Sequence, residues 1–169
     1  LPLSITNDAI PLESTKNVTT TILDFLNAIN IEVIDTVLTD NTFLPGLQLK
    51  GATILLDRTK LKYPGDILHE AGHIAVSEKH IRPLIGSSEI TDDWPPDGEE
   101  IAAILWSFAA SHHLNLDLNV VFHPNGYKGG SAWLIEQFTN KKYVGLPLLE
   151  WMSLCNADQF PKMKKWIRD

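Results

Sequence analysis

Apolar residues recur at helical spacing in three stretches of the chain, and these stretches predict its main helices. The first covers residues 14–30, where the apolar positions follow a period close to 3.6. The second begins at Asp66, which is placed to cap it, and runs to about residue 79 because Pro83 must end it. The third begins at about Glu99 and runs to about residue 114.

Runs of β-branched and alternating residues between the first two helices predict short strands, at residues 31–38, 47–49 and 52–56. Beyond the third helix, apolar patterns predict further helices, near residues 132–139, 147–157 and 160–167. Segments rich in Gly, Pro and Asp are expected to form loops, at residues 85–98 and 122–131. Strands followed mostly by helices indicate an α+β fold with a short, mostly antiparallel sheet and a helical C-terminal part.

The composition is that of an ordinary globular domain and excludes several classes of protein. The chain has 169 residues, of which 44% are hydrophobic and 21% charged, with a formal net charge of −7. Such an acidic chain is poorly suited to nucleic acid or anionic membranes, and its longest apolar run is too short to span a bilayer. We expect a single domain over residues 1–169, with a core at 14–115 and a helical extension at 116–169. We expect no nucleic-acid partner and no membrane span.

The cysteine content bears on the compartment. The single cysteine, Cys155, allows no intramolecular disulfide, which favours a reducing cytoplasm. The first thirty residues show no signal-peptide pattern, although a secreted protein whose signal had been removed would have the same sequence. A cytoplasmic protein is therefore the expectation.

The stretch that carries chemistry is His69-Glu70-Ala71-Gly72-His73, on the second predicted helix. Residues four apart lie on one face of a helix, so His69 and His73 can present two imidazoles to one metal ion. Zinc suits two neutral imidazoles and a carboxylate, and its catalytic sites keep one position open for water. Glu70 is placed to accept a proton from that water, whose pKa the ion lowers to about 7.

The spacing is informative because shuffling this composition reproduces it in roughly 1% of chains. It also falls on a segment that is predicted to be helical for independent reasons. The alternative is a core helix whose histidines fall four apart by accident, in a protein that binds no metal.

The pattern resembles that of the zincin metallopeptidases, whose branches differ in the third metal ligand. The metzincin branch places a glycine and a histidine where this chain has Val76 and Lys79, so the chain does not match it. His80 is one residue late, about 10.5 Å along the helix axis from the second histidine of the motif. The gluzincin branch takes a glutamate from a second helix, and Glu99 and Glu100 open the next helix here.

Of these two glutamates, Glu100 is favoured as the third ligand. It lies about 90° from the centre of the apolar face of its predicted helix, whereas Glu99 points almost directly away from that face. Glu100 also precedes Ala103 by three residues, similar to the Glu-x-x-Ala spacing common in the gluzincin branch. Both glutamates would also stabilise a helix N-terminus without any metal.

The resemblance covers about residues 66–110 and implies a small zincin-like domain. It implies Zn²⁺ held by His69, His73 and Glu100, with a peptide or protein as substrate. It also implies an edge strand beside the cleft, for which residues 33–38 and 52–56 are candidates. The chain is short for such a peptidase, because many zincins add a second domain that forms the far wall of the cleft.

A peptidase of this kind also needs a donor that stabilises the oxyanion formed when water attacks the carbonyl. His123 and Tyr127, in the predicted loop 122–131, are the candidates for that catalytic role, unless this loop is only a connector. His112 and His113 are better explained as residues that complement the dipole at a helix end.

Charge is concentrated in two segments. Residues 89–100 carry six carboxylates and no Lys or Arg, which either biases the cleft toward cations or solvates a loop. Residues 162–168 interleave basic and apolar side chains, which predicts a final amphipathic helix packed on the body of the protein.

Three functional hypotheses follow. In the first, the protein is a zinc-dependent metallohydrolase, specifically a peptidase, in which Glu70 acts as general base toward a metal-activated water. In the second, it is a non-catalytic zinc-binding regulatory or scaffold protein with a zincin-like fold. In the third, it is a metal-free interaction domain.

Overall fold

The computed structural model of the chain describes residues 12–169, which contain six α-helices and three β-strands. In chain order these are α1 (Leu12–Ala28), β1 (Glu32–Asp35), β2 (Leu47–Lys50), β3 (Thr53–Leu56), α2 (Asp66–Val76), α3 (Asp97–His113), α4 (Leu118–Val121), α5 (Ser131–Thr139) and α6 (Leu146–Trp151). The expected α+β fold class is confirmed. None of the helices in residues 12–169 is long and apolar enough to cross a membrane.

The sheet has the strand order β1-β3-β2 and is mixed. β2 and β3 are antiparallel and are joined by a tight turn at Gly51, whose φ of +60° favours glycine. β1 is parallel to β3, so the expectation of a mostly antiparallel sheet is wrong for this pair. A parallel pair needs a long connection, and residues 36–52, which include β2, provide it.

One hydrophobic core joins the early and late parts of the described chain. It includes Ile22 and Leu26 of α1, the buried residues of β3, most of α2 and α3, and Phe138 and Phe160 from the C-terminal part. Because α2 is buried on almost every side, its polar side chains lie inside the protein.

α2 and α3 approach each other closely at Gly72. A Cβ atom on Gly72 would lie 2.8 Å from the carbonyl oxygen of Ala103, closer than real Cβ contacts allow. The missing side chain at Gly72 therefore sets the distance between these two helices.

The C-terminus of α2 is completed by a distant residue, Arg168. α2 ends at Val76, earlier than expected, and the next residue, Ser77, is extended. The backbone N–H of Arg168 donates to the carbonyl of Ala75 (2.9 Å), and its guanidinium donates to that of Val76 (3.1 Å). The last carbonyls of a helix lack partners within it, and a cation there is also favoured by the helix dipole.

The segment that supplies Arg168 is not the helix expected at residues 160–167. Its Trp166 packs against Phe25 and Trp106, with ring centroids 5.0 and 5.6 Å away, and the Trp166 carbonyl accepts a hydrogen bond from the Trp106 indole (2.9 Å). Backbone groups of this segment form hydrogen bonds with other parts of the fold and not with each other as they would in a helix. The periodicity of the side chains does not reveal this difference. α6 is likewise shorter than the helix expected at 147–157.

Asp66 is the first residue of α2 and does not cap it, so that prediction is wrong. Gly65 occupies the N-cap position, without a side-chain cap. The Asp66 carboxylate pairs with His123 instead (2.7 Å), because the later loop 122–131 folds back against the start of α2.

Replacing Gly72 by Ala should lower the free energy of unfolding by about 1–3 kcal/mol, because the new methyl group overpacks the α2–α3 contact. Gly98→Ala is the matched control, since a Cβ there meets only Leu148 Cδ1 at 3.9 Å, an ordinary contact. In the first turn of α3 this alanine should be neutral or stabilising by up to about 1 kcal/mol. Urea unfolding measures both variants, and equal stabilities would contradict the close approach.

Candidate metal centre

Two histidines on α2, His69 and His73, lie side by side. Their Nε2 atoms are 3.0 Å apart and their rings meet edge to face. His73 is buried and His69 is half-buried. With Glu70 they form a group whose potential ligand atoms all lie within 4.8 Å of one another, and such a group could hold a metal ion.

Glu100 on α3 reaches the same two histidines. One of its carboxylate oxygens lies 3.2 Å from Nε2 of His73 and the other 3.7 Å from Nε2 of His69. Glu100 is one turn before Ala103, the residue of α3 that contacts Gly72, so the close packing of the helices brings it there. We refer to His69, His73 and Glu100 as the cluster.

Glu99, the alternative third ligand, is held elsewhere. One of its oxygens accepts a hydrogen bond from the Ser77 hydroxyl (3.4 Å), and the other lies 3.6 Å from the Arg168 guanidinium. Consecutive residues point about 100° apart around a helix, so only one of the two glutamates can face the histidines. The structure places Glu100, and not Glu99, in the cluster.

Burial keeps both histidines neutral at pH 7. It lowers the pKa of His69 from 6.5 to about 4. It also lowers the pKa of His73 to about 3, with the neighbouring His69 as a second cause. Metal ions bind neutral imidazole, so both rings are in the form that ligation requires.

Carboxylates are crowded beside these histidines. Burial is the main reason that the pKa of Glu70 is raised to about 8, and the nearby Asp66 and Glu100 carboxylates raise it as well. Burial also raises the pKa of Glu100, against the opposing effect of Lys128. Enclosed carboxylates so close together favour a bound positive charge, which a metal ion would supply.

Tyr127 contacts His69 through the other ring nitrogen. Its hydroxyl lies 3.3 Å from Nδ1 of His69, and the two rings meet edge to face. The Nδ1–H of neutral His69 can donate to this hydroxyl, which directs the Nε2 lone pair into the cluster. Tyr127 and Lys128 both have left-handed backbone, with φ of 54° and 52°, so the loop carries local strain where it places this side chain.

His123, the other residue proposed from loop 122–131, is directed at Asp66. Its Nε2 lies 2.7 Å from the Asp66 carboxylate, and its ring stacks on Tyr63 with centroids 3.8 Å apart. Asp66 is three residues before His69 on α2, so the pair ties the loop to the helix that carries the histidines. With Nε2 engaged in this way, His123 is placed to anchor the loop.

The remaining histidines are separate from the cluster. His112 and His113 are exposed at the end of α3, and His113 packs against Phe25 and Trp166. His80 is exposed beyond the end of α2. All three occupy positions near helix ends, as the sequence suggested.

Two clefts meet at the cluster. One, the apolar cleft, has a volume of 720 Å³ and is lined beyond the cluster mainly by Leu47, Leu49, Ile85, Ile90, Trp94 and Pro95. The other, the lysine cleft, has a volume of 590 Å³, and its lining includes Lys62, Tyr63, Asp66, His123 and Asn125. Both clefts are also lined by Phe43, Leu44, His69, Glu100 and Lys128. A larger cavity of 840 Å³, around Phe160, shares no lining residue with the cluster.

The strand beside the apolar cleft is β2, which lies at the edge of the sheet. Its residues 47–49 line the cleft. The strand expected at residues 52–56 is the central strand β3, which has partners on both sides, and residues 33–38 overlap β1 at the opposite edge. Neither expected strand therefore takes the edge position beside the cleft.

The acidic residues 89–100 contribute little to the clefts. Glu89, Asp92, Asp93 and Asp97 are exposed, and Glu100 is the only carboxylate of this stretch that lines either cleft. The stretch mainly solvates a loop, which is the more ordinary of the two interpretations.

Three contributors to the site were not singled out from the sequence: Asp66 as the partner of His123, Lys128 beside Glu100, and Arg168 beside Glu99. A signal existed for Asp66, because residues three apart on a helix share a face and this places it beside His69. Lys128 follows Tyr127 directly and could have been found with it. For Arg168 the local sequence held no signal, because its partners, which include Glu99 and Val76, lie about seventy to ninety residues away.

The chain was compared with family models, with curated proteins and with solved structures, and none of these comparisons gives a match.

Acidification should make the buried histidines destabilise metal-free protein, an effect that the raised pKa of Glu70 opposes. Their pKa values in the folded chain, about 4 and about 3, lie below the usual value of 6.5. At these two histidines the unfolded chain therefore binds protons first, and their contribution to stability falls as the pH drops below about 6.5. Replacing His73 by Gln should flatten the pH dependence of unfolding between pH 7 and 4 by a few kcal/mol, since one pKa unit corresponds to about 1.4 kcal/mol.

Urea unfolding at several pH values, with a chelator present, measures this slope. His80→Gln is the matched control, because His80 is exposed and its replacement should leave the slope unchanged. A His73→Gln slope equal to that of the wild type would contradict the buried, neutral state of His73.

Proposed function

We propose that the protein is a zinc-dependent hydrolase similar to the gluzincins and that it cleaves peptide bonds. The observation that carries the proposal is the contact of one carboxylate, Glu100, with both histidines. The Nε2 atoms of His69 and His73 are 3.0 Å apart, one Glu100 oxygen lies 3.2 Å from Nε2 of His73, and the other lies 3.7 Å from Nε2 of His69. In a tetrahedral zinc site with bonds of about 2.0–2.2 Å, ligand atoms lie about 3.3–3.6 Å apart. The residues present therefore fit a zinc ion.

The donor set supports zinc over other common metals. Ca²⁺ and Mg²⁺ prefer oxygen ligands, whereas two of the three donors here are imidazole nitrogens. Metals that prefer thiolate ligands are disfavoured, because the cluster contains no cysteine and the single cysteine, Cys155, is buried outside both clefts. Three protein ligands leave a fourth position for water, which is the pattern of catalytic zinc sites.

Glu70 is the general base of this proposal. Zinc bound in such a site supplies a Lewis acid that lowers the pKa of a coordinated water to about 7. Glu70, enclosed beside the histidines, accepts the proton of the attacking water and passes it to the leaving amine. Burial is the main reason that the pKa of Glu70 is raised in the metal-free protein, and a cation bound beside it would oppose that rise.

Tyr127 and His123 serve this site by positioning its ligands. The Tyr127 hydroxyl holds His69 in the tautomer that ligation requires, and the His123–Asp66 pair holds the loop that carries Tyr127. Their contacts support these roles in place of the oxyanion contact expected from the sequence.

A peptide substrate is supported by β2. An edge strand presents unpaired backbone groups to which an extended peptide can add as a further strand. β2 lies at the sheet edge and lines the cleft that contains His69, Glu70 and His73. Backbone of Leu44 and Gly86 already contacts part of this edge, so the remaining part is the one that a peptide would join. The resemblance to the gluzincins implies the same arrangement.

Replacing Glu70 by Gln tests the catalytic role. The variant should still bind about one zinc ion per chain, because Glu70 is not one of the three proposed ligands, while peptide cleavage should fall by at least 10²-fold, the usual contribution of a general base. Elemental analysis and mass spectrometry of a peptide library measure the two quantities.

Glu89→Gln is the control, because Glu89 is exposed outside both clefts. Full activity of Glu70→Gln would overturn the mechanism. A wild-type protein that binds zinc and cleaves no peptide would instead favour the zinc-binding regulatory or scaffold role. A protein that takes up no zinc when zinc is offered would overturn the metal assignment.

Tyr127→Phe should weaken zinc binding about 10–100-fold, the usual effect of removing a hydrogen-bond partner from a ligating histidine. Competition with a chelator measures the affinity. Tyr63→Phe is the matched control, because the Tyr63 hydroxyl accepts a hydrogen bond from Asn125 in the same loop and touches neither histidine of the cluster. Equal affinities in the two variants would show that Tyr127 does not orient His69.

A further inference from the structure

The apolar cleft is nearly free of charge beyond the cluster. Its wall is formed by apolar side chains of β2 and of residues 85–95, together with uncharged polar residues such as Gln48 and Thr42. Apart from Glu70 and Glu100, the one charged side chain that lines it is Lys128. Burial of apolar surface is therefore the main source of affinity for a group that enters this cleft.

The lysine cleft differs from the apolar cleft in its charged side chains. Its carboxylates are Glu100, which belongs to the cluster, and Asp66, which is paired with His123. The charges that remain are the two lysines Lys62 and Lys128. Both are exposed, and among the described residues neither has an ion-pair partner.

These lysines stand out against the charge of the chain as a whole. The protein has a formal net charge of −7. The acidic side chains in the loop before α3 lie outside both clefts, namely Glu89, Asp92, Asp93 and Asp97. Lys128 also lines both clefts and is near enough to Glu100 to oppose the rise in its pKa. A carboxylate bound near Lys128 would therefore lie next to the cluster, at an exposed lysine whose attraction is screened by salt.

We propose that the substrate is a peptide with a large apolar side chain on one side of the scissile bond and a carboxylate on the other. The apolar side chain occupies the cleft formed by β2 and residues 85–95, and the carboxylate pairs with Lys62 and Lys128. This inference rests on the proposed peptidase function. The carboxylate belongs to an Asp or Glu side chain or to the C-terminus of the peptide, and both sources present the same group to the lysines.

A set of short, blocked peptides tests the inference. Ac-Ala-Leu-Glu-Ala-NH₂ and its reversed-order partner Ac-Ala-Glu-Leu-Ala-NH₂ are compared with versions in which Glu is replaced by Lys, or Leu by Ser. Ac-Ala-Leu-Ala with a free C-terminus or a C-terminal amide separates the two sources of the carboxylate. Cleavage by the zinc-loaded wild type is followed by mass spectrometry, and binding to zinc-loaded Glu70→Gln by calorimetry.

We expect a preference of about 10-fold for the Glu peptide over the Lys peptide in at least one of the two residue orders. This preference should shrink in high salt, because exposed charges are screened. A Leu side chain should be favoured over Ser by about 10-fold or more, as for other hydrophobic pockets. If the free C-terminus is preferred over both its amide and the Glu side chain, the carboxylate is the terminal one.

Matched variants locate the preference. Lys62→Gln with Lys128→Gln should bring the Glu/Lys ratio close to one, whereas Lys79→Gln with Lys142→Gln, which changes the net charge equally at exposed positions outside both clefts, should leave it unchanged. Ile90→Ser, at the wall of the apolar cleft, should reduce the Leu/Ser ratio several-fold without altering the Glu/Lys ratio.

The outcomes separate this inference from the peptidase function. Cleavage at equal rates for the Glu and Lys peptides, unaffected by the lysine substitutions, would overturn the inference and leave the peptidase standing. Selective binding of the Leu-Glu peptide to the zinc-loaded protein without cleavage would support the inference and overturn the peptidase. Absence of both binding and cleavage for every peptide would overturn both.

Discussion

The candidate site depends on the close contact between α2 and α3. Gly72 lies between Glu70 and His73, and Ala103 lies one turn after Glu100, so the point where the helices touch is also where their functional side chains meet. A larger residue at this contact would separate the helices and widen the distances between imidazoles and carboxylate. Core packing and site geometry are therefore the same constraint in this protein, and a stability defect here would also be a defect of the site.

Enclosure gives the cluster its chemical character. The same burial keeps the histidines unprotonated and raises the pKa of Glu70 and Glu100, so without a cation the pocket holds donor groups whose charges are poorly solvated. The poor solvation of these charges raises the free energy of the empty pocket, and a bound cation would lower it. The Tyr127 hydroxyl contacts the His69 ring, and the Asp66–His123 pair ties the loop of Tyr127 to α2, so these contacts would limit the rearrangement needed for a cation to bind.

Local patterns predicted the parts of the molecule whose interactions are local. The apolar residues of α1, α2 and α3 recur at helical spacing because each helix buries at least one face. The helical wheel distinguished the direction of Glu100 from that of Glu99 because both residues lie on one regular helix. Contacts between distant segments were missed or misassigned. Three examples are the parallel pairing of β1 with β3, the edge position of β2 and the hydrogen bond between His123 and Asp66. Each depends on the path that a loop takes through the fold, and no short window of sequence encodes that path. The residues at 160–167 kept their amphipathic pattern without forming a helix, because their backbone groups found partners elsewhere.

The contact between Arg168 and the end of α2 has a consequence for biosynthesis. Val76 and Arg168 are separated by 92 positions, and Glu99 lies between them in sequence while contacting the same guanidinium. A nascent chain that has emerged only as far as α3 already carries both histidines and both glutamates, but it lacks the group that completes the helix and holds Glu99 in place. The contacts of Arg168 with the end of α2 and with Glu99 therefore form only after translation has passed Arg168, so the end of the helix that carries the histidines is completed late in the synthesis of the chain.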